Sequence, residues 1–161
     1  MSSYPQGGVH LDPIGGVTHQ ASPVEDYVYA EAGSYTKGQL LRVKAGATVP
    51  SAATYGYCVC ATVDTGLAGP IVAETVTVPT GGGKIKVWVG GVLTGATHGV
   101  TADGGGILAG ALVSSSATSG AIGTATGTYG AAVGQSVIGI CLVAFTASTA
   151  DGTLLLFRSR H

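Results

Sequence analysis

The stretch "GGKIKVWVGG", residues 82–91, decides the fold. Lys84, Lys86 and Trp88 fall on one side of an extended chain and Ile85, Val87 and Val89 on the other, the period of two that a β-strand imposes. A sheet of such strands is wet on one face and packed on the other. The flanking glycines read as corners that need positive φ.

Working outward, β-branched and apolar residues keep coming in short runs broken by Gly, Pro and Ser, the pattern of an all-β domain. Strands are expected near 26–31, 39–45, 54–63, 71–78, 84–93, 107–113, 135–145 and 152–159. The best helical candidate, around 109–116, is weakened by its glycine and serine, so helix should make up less than about one fifth of the chain. The expected fold is a mainly antiparallel β-barrel or sandwich over residues 26–161. With 161 residues in all, one such domain is the default.

Residues 1–25 read differently. "MSSYPQGGVHLDPIGGVTHQASPVE" holds Pro5, Pro13 and Pro23, four glycines and isolated apolar residues without period. Proline fixes φ and removes a donor, so this is an extended N-terminal arm with no core of its own. Tyr4, Val9, Leu11, Ile14 and Val17 are its candidate anchors on a partner surface. Ordering it costs roughly 1–2 kcal/mol per residue, and burying five apolar side chains at about 1.5–3 kcal/mol each offsets only part of that. Backbone bonds to the partner must supply the rest, as in strand addition.

A weak echo runs through the domain. "KGQLLRVKAG", "YGYCVCATVDTGLAG" and "GGKIKVWVGG" are followed, in the same order, by "AGALVSSSA", "VIGICLVAFTASTAD" and "GTLLLFRSR". This suggests two related β units.

Composition narrows function. Only 9% of residues are charged, against about 25% in ordinary domains, and the net charge is −1. Lys84, Lys86, Arg158 and Arg160 are too few to meet a phosphate backbone, so no nucleic-acid partner is expected. No apolar run approaches the ~20 residues of a spanning helix, and the N-terminus lacks a basic segment leading into an apolar core, so neither membrane insertion nor export is expected. Cys58, Cys60 and Cys141 are too few for a disulfide framework or a zinc site. Cys58 and Cys60, two apart, share one strand face as small buried hydrophobes. His10, His19, His98 and His161 are scattered, with no carboxylate at ligand spacing, and no metal or cofactor is expected. Tyr27, Tyr29, Tyr55, Tyr57 and Trp88 alternate along strands, as core aromatics do.

Phosphate-loop readings fail on context. In "TGGGKIKVWV" the glycines and Lys84 run into alternating strand where a helix would have to start. At Asp103–Gly106, "ILAGALV" is too short for a crossover helix. No G-x-S-x-G nucleophile elbow occurs, and the acidic residues sit mostly at turns or strand starts. An enzyme is not expected.

The strand "GQLLRV", the glycine-interrupted run "VIGICLVAF", the turn "ADG", the strand "TLLLFRS" and the segment "VTADGGGILAGALVSSS" together resemble the decoration, or cement, proteins of tailed-bacteriophage capsids over roughly residues 26–160. The resemblance implies a compact β-barrel or β-tulip domain, a structural protein on the outer capsid surface of a virion. It would hold adjacent major capsid subunits together against internal DNA pressure and be assembled in a host cytoplasm. Implied partners are the major capsid protein and other copies of the chain, a trimer first and a dimer second. The alternative is a fibre, adhesin or receptor-binding β module, which would present a concave aromatic patch.

Overall fold

The computed structural model describes residues 22–43, 56–59, 68–125 and 137–157. In chain order these form β1 (Val24–Ala30), β2 (Gly33–Tyr35), β3 (Leu40–Val43), β4 (Gly56–Val59), β5 (Ala68–Val72), β6 (Val76–Val78), β7 (Gly83–Thr94), α1 (Gly95–His98), β8 (Leu112–Ser115), β9 (Ile122–Thr124), β10 (Gly139–Val143) and β11 (Thr153–Leu156). The fold is all-β, and α1, a single turn, is the only helix among the described residues. The candidate helix at 109–116 is a glycine turn followed by β8, because Gly110 takes a positive φ of 83° that no helix accommodates. The strand expected over 71–78 is two, β5 and β6, separated at 73–75. β1 opens at Val24, so the last two residues allotted to the arm pair with β7.

Strand order in the large sheet is β1-β4-β3-β5-β7-β11-β10-β8-β9, with a further pairing of β1 to β7. That extra pairing bends β1, β4, β3, β5 and the first part of β7 into a barrel. All its joins are antiparallel except β1–β4. β7, the stretch quoted at the outset, serves twice. Its residues up to Gly90 pair with β1, while Gly91–Thr94 pair with β11 and start the second half of the molecule. The switch falls at Gly91, whose φ of 96° lets the strand turn from one barrel wall into the other.

The turn before β3 recurs before β8 with the same three hydrogen bonds. Gly38 N–H donates to the Val72 carbonyl (2.9 Å), Val72 N–H to Gln39 (2.9 Å), and Gln39 N–H closes a turn on Thr36 (3.1 Å). Correspondingly, Gly110 N–H donates to Cys141 (2.7 Å), Cys141 N–H to Ala111 (2.9 Å), and Ala111 N–H to Leu108 (3.1 Å). Gly38 and Gly110 carry matching φ values of 89° and 83°. The register Leu40↔Ile71↔Trp88 becomes Leu112↔Ile140↔Leu155. Leu41↔Val59 becomes Val113↔Thr124, Tyr35↔Val76 becomes Ile107↔Phe145, and the parallel join Ala30↔Tyr57 becomes Ala102↔Ile122.

With this register, "VYAEAGSYTKGQLLRV" (28–43) lies over "VTADGGGILAGALVSS" (100–115) without a gap. Val28, Ala30, Gly33, Gly38 and Leu40 then recur as Val100, Ala102, Gly105, Gly110 and Leu112. The outer two pieces of the echo in the sequence are thereby placed as read. The middle one is corrected: β10 is the counterpart of β5, and β4 is matched by β9, because the hydrogen bonds of Cys141 are those of Val72. α1 has no helical counterpart: the same register, continued back, sets it over Pro23–Asp26, where the first unit starts β1.

Core residues map onto core residues. Val28, Ala30, Tyr35, Leu41, Val72, Val87 and Val89 pack together in the first unit. Their counterparts Val100, Ala102, Ile107, Val113, Cys141, Leu154 and Leu156 pack together in the second. Volumes compensate locally: where the first unit has Val76 and Ile85, the second has Phe145 lying on Gly152, where a Cβ would collide with the ring. Each fully buried Val, Leu or Ile contributes about 1.5–3 kcal/mol, so both units hold substantial cores.

Ile85, Val87 and Val89 do face the first core, and Lys84 is exposed. Trp88, on the supposedly wet side, is only 5% exposed and joins the second cluster with Leu40 and Ile71. The outer face of the first unit is therefore covered by the second. Leu40 N–H donates across the junction to Gly120 (2.8 Å), and His98 of α1 sets its ring edge-on to Trp88 at 4.7 Å.

Candidate interaction surface

Row-for-row comparison of the two units locates the site. Cross-strand partners point to the same side of a sheet, so Leu40, Ile71 and Trp88 form one outward row and Leu112, Ile140 and Leu155 the corresponding row, extended by Val92. The first row is buried, with Leu40 and Ile71 at 0% exposure. In the second, Leu112 is 49% exposed, and Ile140 and Leu155 are half-buried. Phe157, two residues past Leu155, and Leu142, two past Ile140, are also exposed, as is Leu108 in the turn before β8. Leu142 owes its exposure to a bulge, since β11 pairs with Cys141 and Val143 and skips it.

Charge follows the same division. Among the described Asp, Glu, Lys and Arg residues the second unit carries only Asp103 and Asp151, with none from Gly104 to Ala150, whereas the first unit carries Glu25, Asp26, Glu31, Lys37, Arg42, Glu74, Lys84 and Lys86. A contiguous apolar face without charge is what soluble domains keep covered by a partner.

A second concave feature lies at the junction. Thr36, Lys37, Gly38 and Gln39 of the first unit face Gly99, Thr101, Thr118 and Gly120 of the second across a groove of about 420 Å³. Lys37 also lies 5.8 Å from the Trp88 ring. Apart from Lys37 and Gln39 the wall is glycine, alanine and small hydroxyls, the chemistry of a packed seam.

The residues singled out in the sequence distribute as follows. Tyr4, Val9, Leu11, Ile14 and Val17 lie outside the described residues, as do Cys60, Tyr55 and the side chains of Cys58 and Tyr57. Cys141 is buried and free, its thiol pushed up by desolvation and donating to the Val143 carbonyl at 3.1 Å. His98 is half-buried and accepts from Thr94 N–H through Nδ1 (2.9 Å), so it pins α1 onto Trp88. Asp103 turns the glycine run: its Oδ1 accepts from Gly105 N–H (3.0 Å) and its carbonyl from Gly106 N–H (3.2 Å). The run is thus a loop corner, as read from the sequence. Tyr27 and Tyr29 are 63% and 40% exposed, which corrects their reading as core aromatics; they line the outer side of β1 opposite Lys86 and Lys84. Among the described residues no three His, Cys, Asp or Glu side chains converge as metal ligands would, and no helix is long and apolar enough to cross a membrane.

Sequence reading missed Leu112, Ile140, Leu142, Leu155 and Phe157 as a surface. The available signal was the unalternating runs "ICLV", inside the uncharged stretch 104–150, and "LLLF" just after it. No protein-family model, no curated protein and no solved structure matches the chain.

Proposed function

We propose that this protein is a structural, non-enzymatic component of a particle surface: a decoration protein that binds the outer face of a tailed-bacteriophage capsid and cements adjacent major capsid subunits. The observation that carries the reading is the partly exposed apolar row Leu112–Ile140–Leu155 in a half that has no charged residue between Gly104 and Ala150, a face suited to broad contact with another macromolecule. The sequence resemblance supplies the identity of that macromolecule. In this reading copies associate on the shell, a trimer being the first expectation. The arm, through Tyr4, Val9, Leu11, Ile14 and Val17, straps onto a neighbouring subunit.

The test is reconstruction by electron microscopy of particles assembled with and without the chain. A density for the barrel at the contacts between capsid subunits, lost or weakened when residues 1–21 are deleted, supports the reading; that deletion leaves β1 whole. Particles whose surface never carries the chain overturn it, and density confined to a fibre tip favours an adhesin instead.

A further inference from the structure

We infer that copies of this chain join head to tail, the outer face of one copy's second unit taking the first unit of the next copy. The chain already contains one instance of such a joint. Within each molecule the row Leu40–Ile71–Trp88 is sealed by the following unit, which brings α1, Thr101 and the segment around Gly120 against it. The equivalent row Leu112–Ile140–Leu155 has no such cover among the described residues: Leu112 is 49% exposed, and Ile140 and Leu155 are half-buried.

The complementary surface is also open. Thr101, which faces the Thr36–Gln39 turn across the internal groove, occupies the position of Tyr29 in the first unit. Tyr29 and Tyr27 are exposed on β1. The counterpart of the Thr36–Gln39 turn is Leu108–Ala111, whose Leu108 is 79% exposed. The repeat therefore sets the Leu108–Ala111 turn of one copy against Tyr29 of the next and covers Leu112, Ile140 and Leu155. The large exposed hydrophobics divide between these two surfaces or their margins: Val24, Tyr27 and Tyr29 on one, and Leu108, Leu112, Val137, Leu142, Val143 and Phe157 on the other.

α1 is present only in the second unit, so the joint between copies lacks the His98–Trp88 contact, and the tyrosines take up that space. Two different surfaces meet, so the contact is heterologous and closes into a ring or runs on as a filament. The inference rests on the internal repeat and not on the capsid reading: chains that join head to tail yet never bind shells would sink the capsid reading alone.

The experiment uses the full chain in sedimentation velocity and native mass spectrometry over increasing concentration. Leu112→Asp blocks one surface and Tyr29→Asp the other, with circular dichroism and urea midpoints confirming that each variant folds. Each variant alone is expected to be monomeric while the wild type forms oligomers. Mixed together they should give dimers and nothing larger, because one intact surface of each kind remains in the mixture. Oligomers that survive Tyr29→Asp but not Leu112→Asp would show a two-fold contact of like faces and overturn the head-to-tail joint. So would a wild type that stays monomeric up to about 1 mM, the range of the weakest specific contacts. If a variant fails to fold, Leu108→Lys and Tyr27→Lys at the edges of the same two surfaces replace the pair.

Discussion

Gly38 and Gly110 hold the same place in two copies of the same turn, with φ of 89° and 83°, yet their surroundings differ. A Cβ on Gly38 would run into the backbone of Gly99 and Val100 in the other unit, while one on Gly110 meets nothing within 4 Å. Substitution by alanine therefore separates conformation from packing. Gly110→Ala incurs only the left-handed backbone cost, about 1–2 kcal/mol. Gly38→Ala incurs that cost and also forces the two units apart, adding about 1–3 kcal/mol for overpacking against main chain that has no rotamer to move. The expected losses are roughly 1–2 and 2–5 kcal/mol, read from urea denaturation of wild type and both variants at one protein concentration. A lowered m-value in Gly38→Ala alone would further indicate that the second unit has come loose from the first. Equal losses would refute the argument, since they would mean that the Thr36–Gln39 turn is not seated on the second unit.

Other expectations follow from single sites. Leu154, fully buried in the second core, should cost about 2–5 kcal/mol on Leu154→Ala in the same denaturation assay. Ser148 holds a φ of 58°, so Ser148→Gly should raise the urea midpoint by the equivalent of about 1 kcal/mol; a lowered midpoint would count against strain there. Hydrogen bonds from Thr146, and then from the Thr149 hydroxyl, hold the Asp151 carboxyl down to about 2. A depressed folded-state value stabilises above the ordinary carboxylate range and is lost as pH falls through about 2, so the stability gap between wild type and Asp151→Asn should shrink from pH 4 to pH 2. The Cys141 thiol is buried and raised, so peptide mapping should find it unmodified by iodoacetamide in the folded protein and labelled in urea.

Period two along "KIKVWV" and the glycines that break the apolar runs made an all-β fold legible in the sequence, because strand geometry and turn chemistry are local. The Gly-led segments before β3 and β8 were legible as an echo for the same reason: Gly38 and Gly110 are each required by their own turn. Local pattern also fixed that Trp88 lies opposite Val87 and Val89. It could not say that Trp88 would be covered, since alternation tells which residues share a face and not what lies against that face.

That decision belongs to the tertiary structure. Leu40 and Leu112 are the same residue in the same register, one sealed at 0% exposure by the unit that packs on it and the other left 49% exposed. Likewise the middle of the repeat was misread because β5 and β4 are both short, apolar and glycine-containing. Only long-range hydrogen bonds, those of Val72 and Cys141 to their glycine turns, distinguish which strand is equivalent to which. Sequence alone determined the strands and their glycine corners and suggested the two units. Packing of one unit on the other, a non-local balance of buried apolar area against backbone fit, determined which of two like faces became core and which became surface.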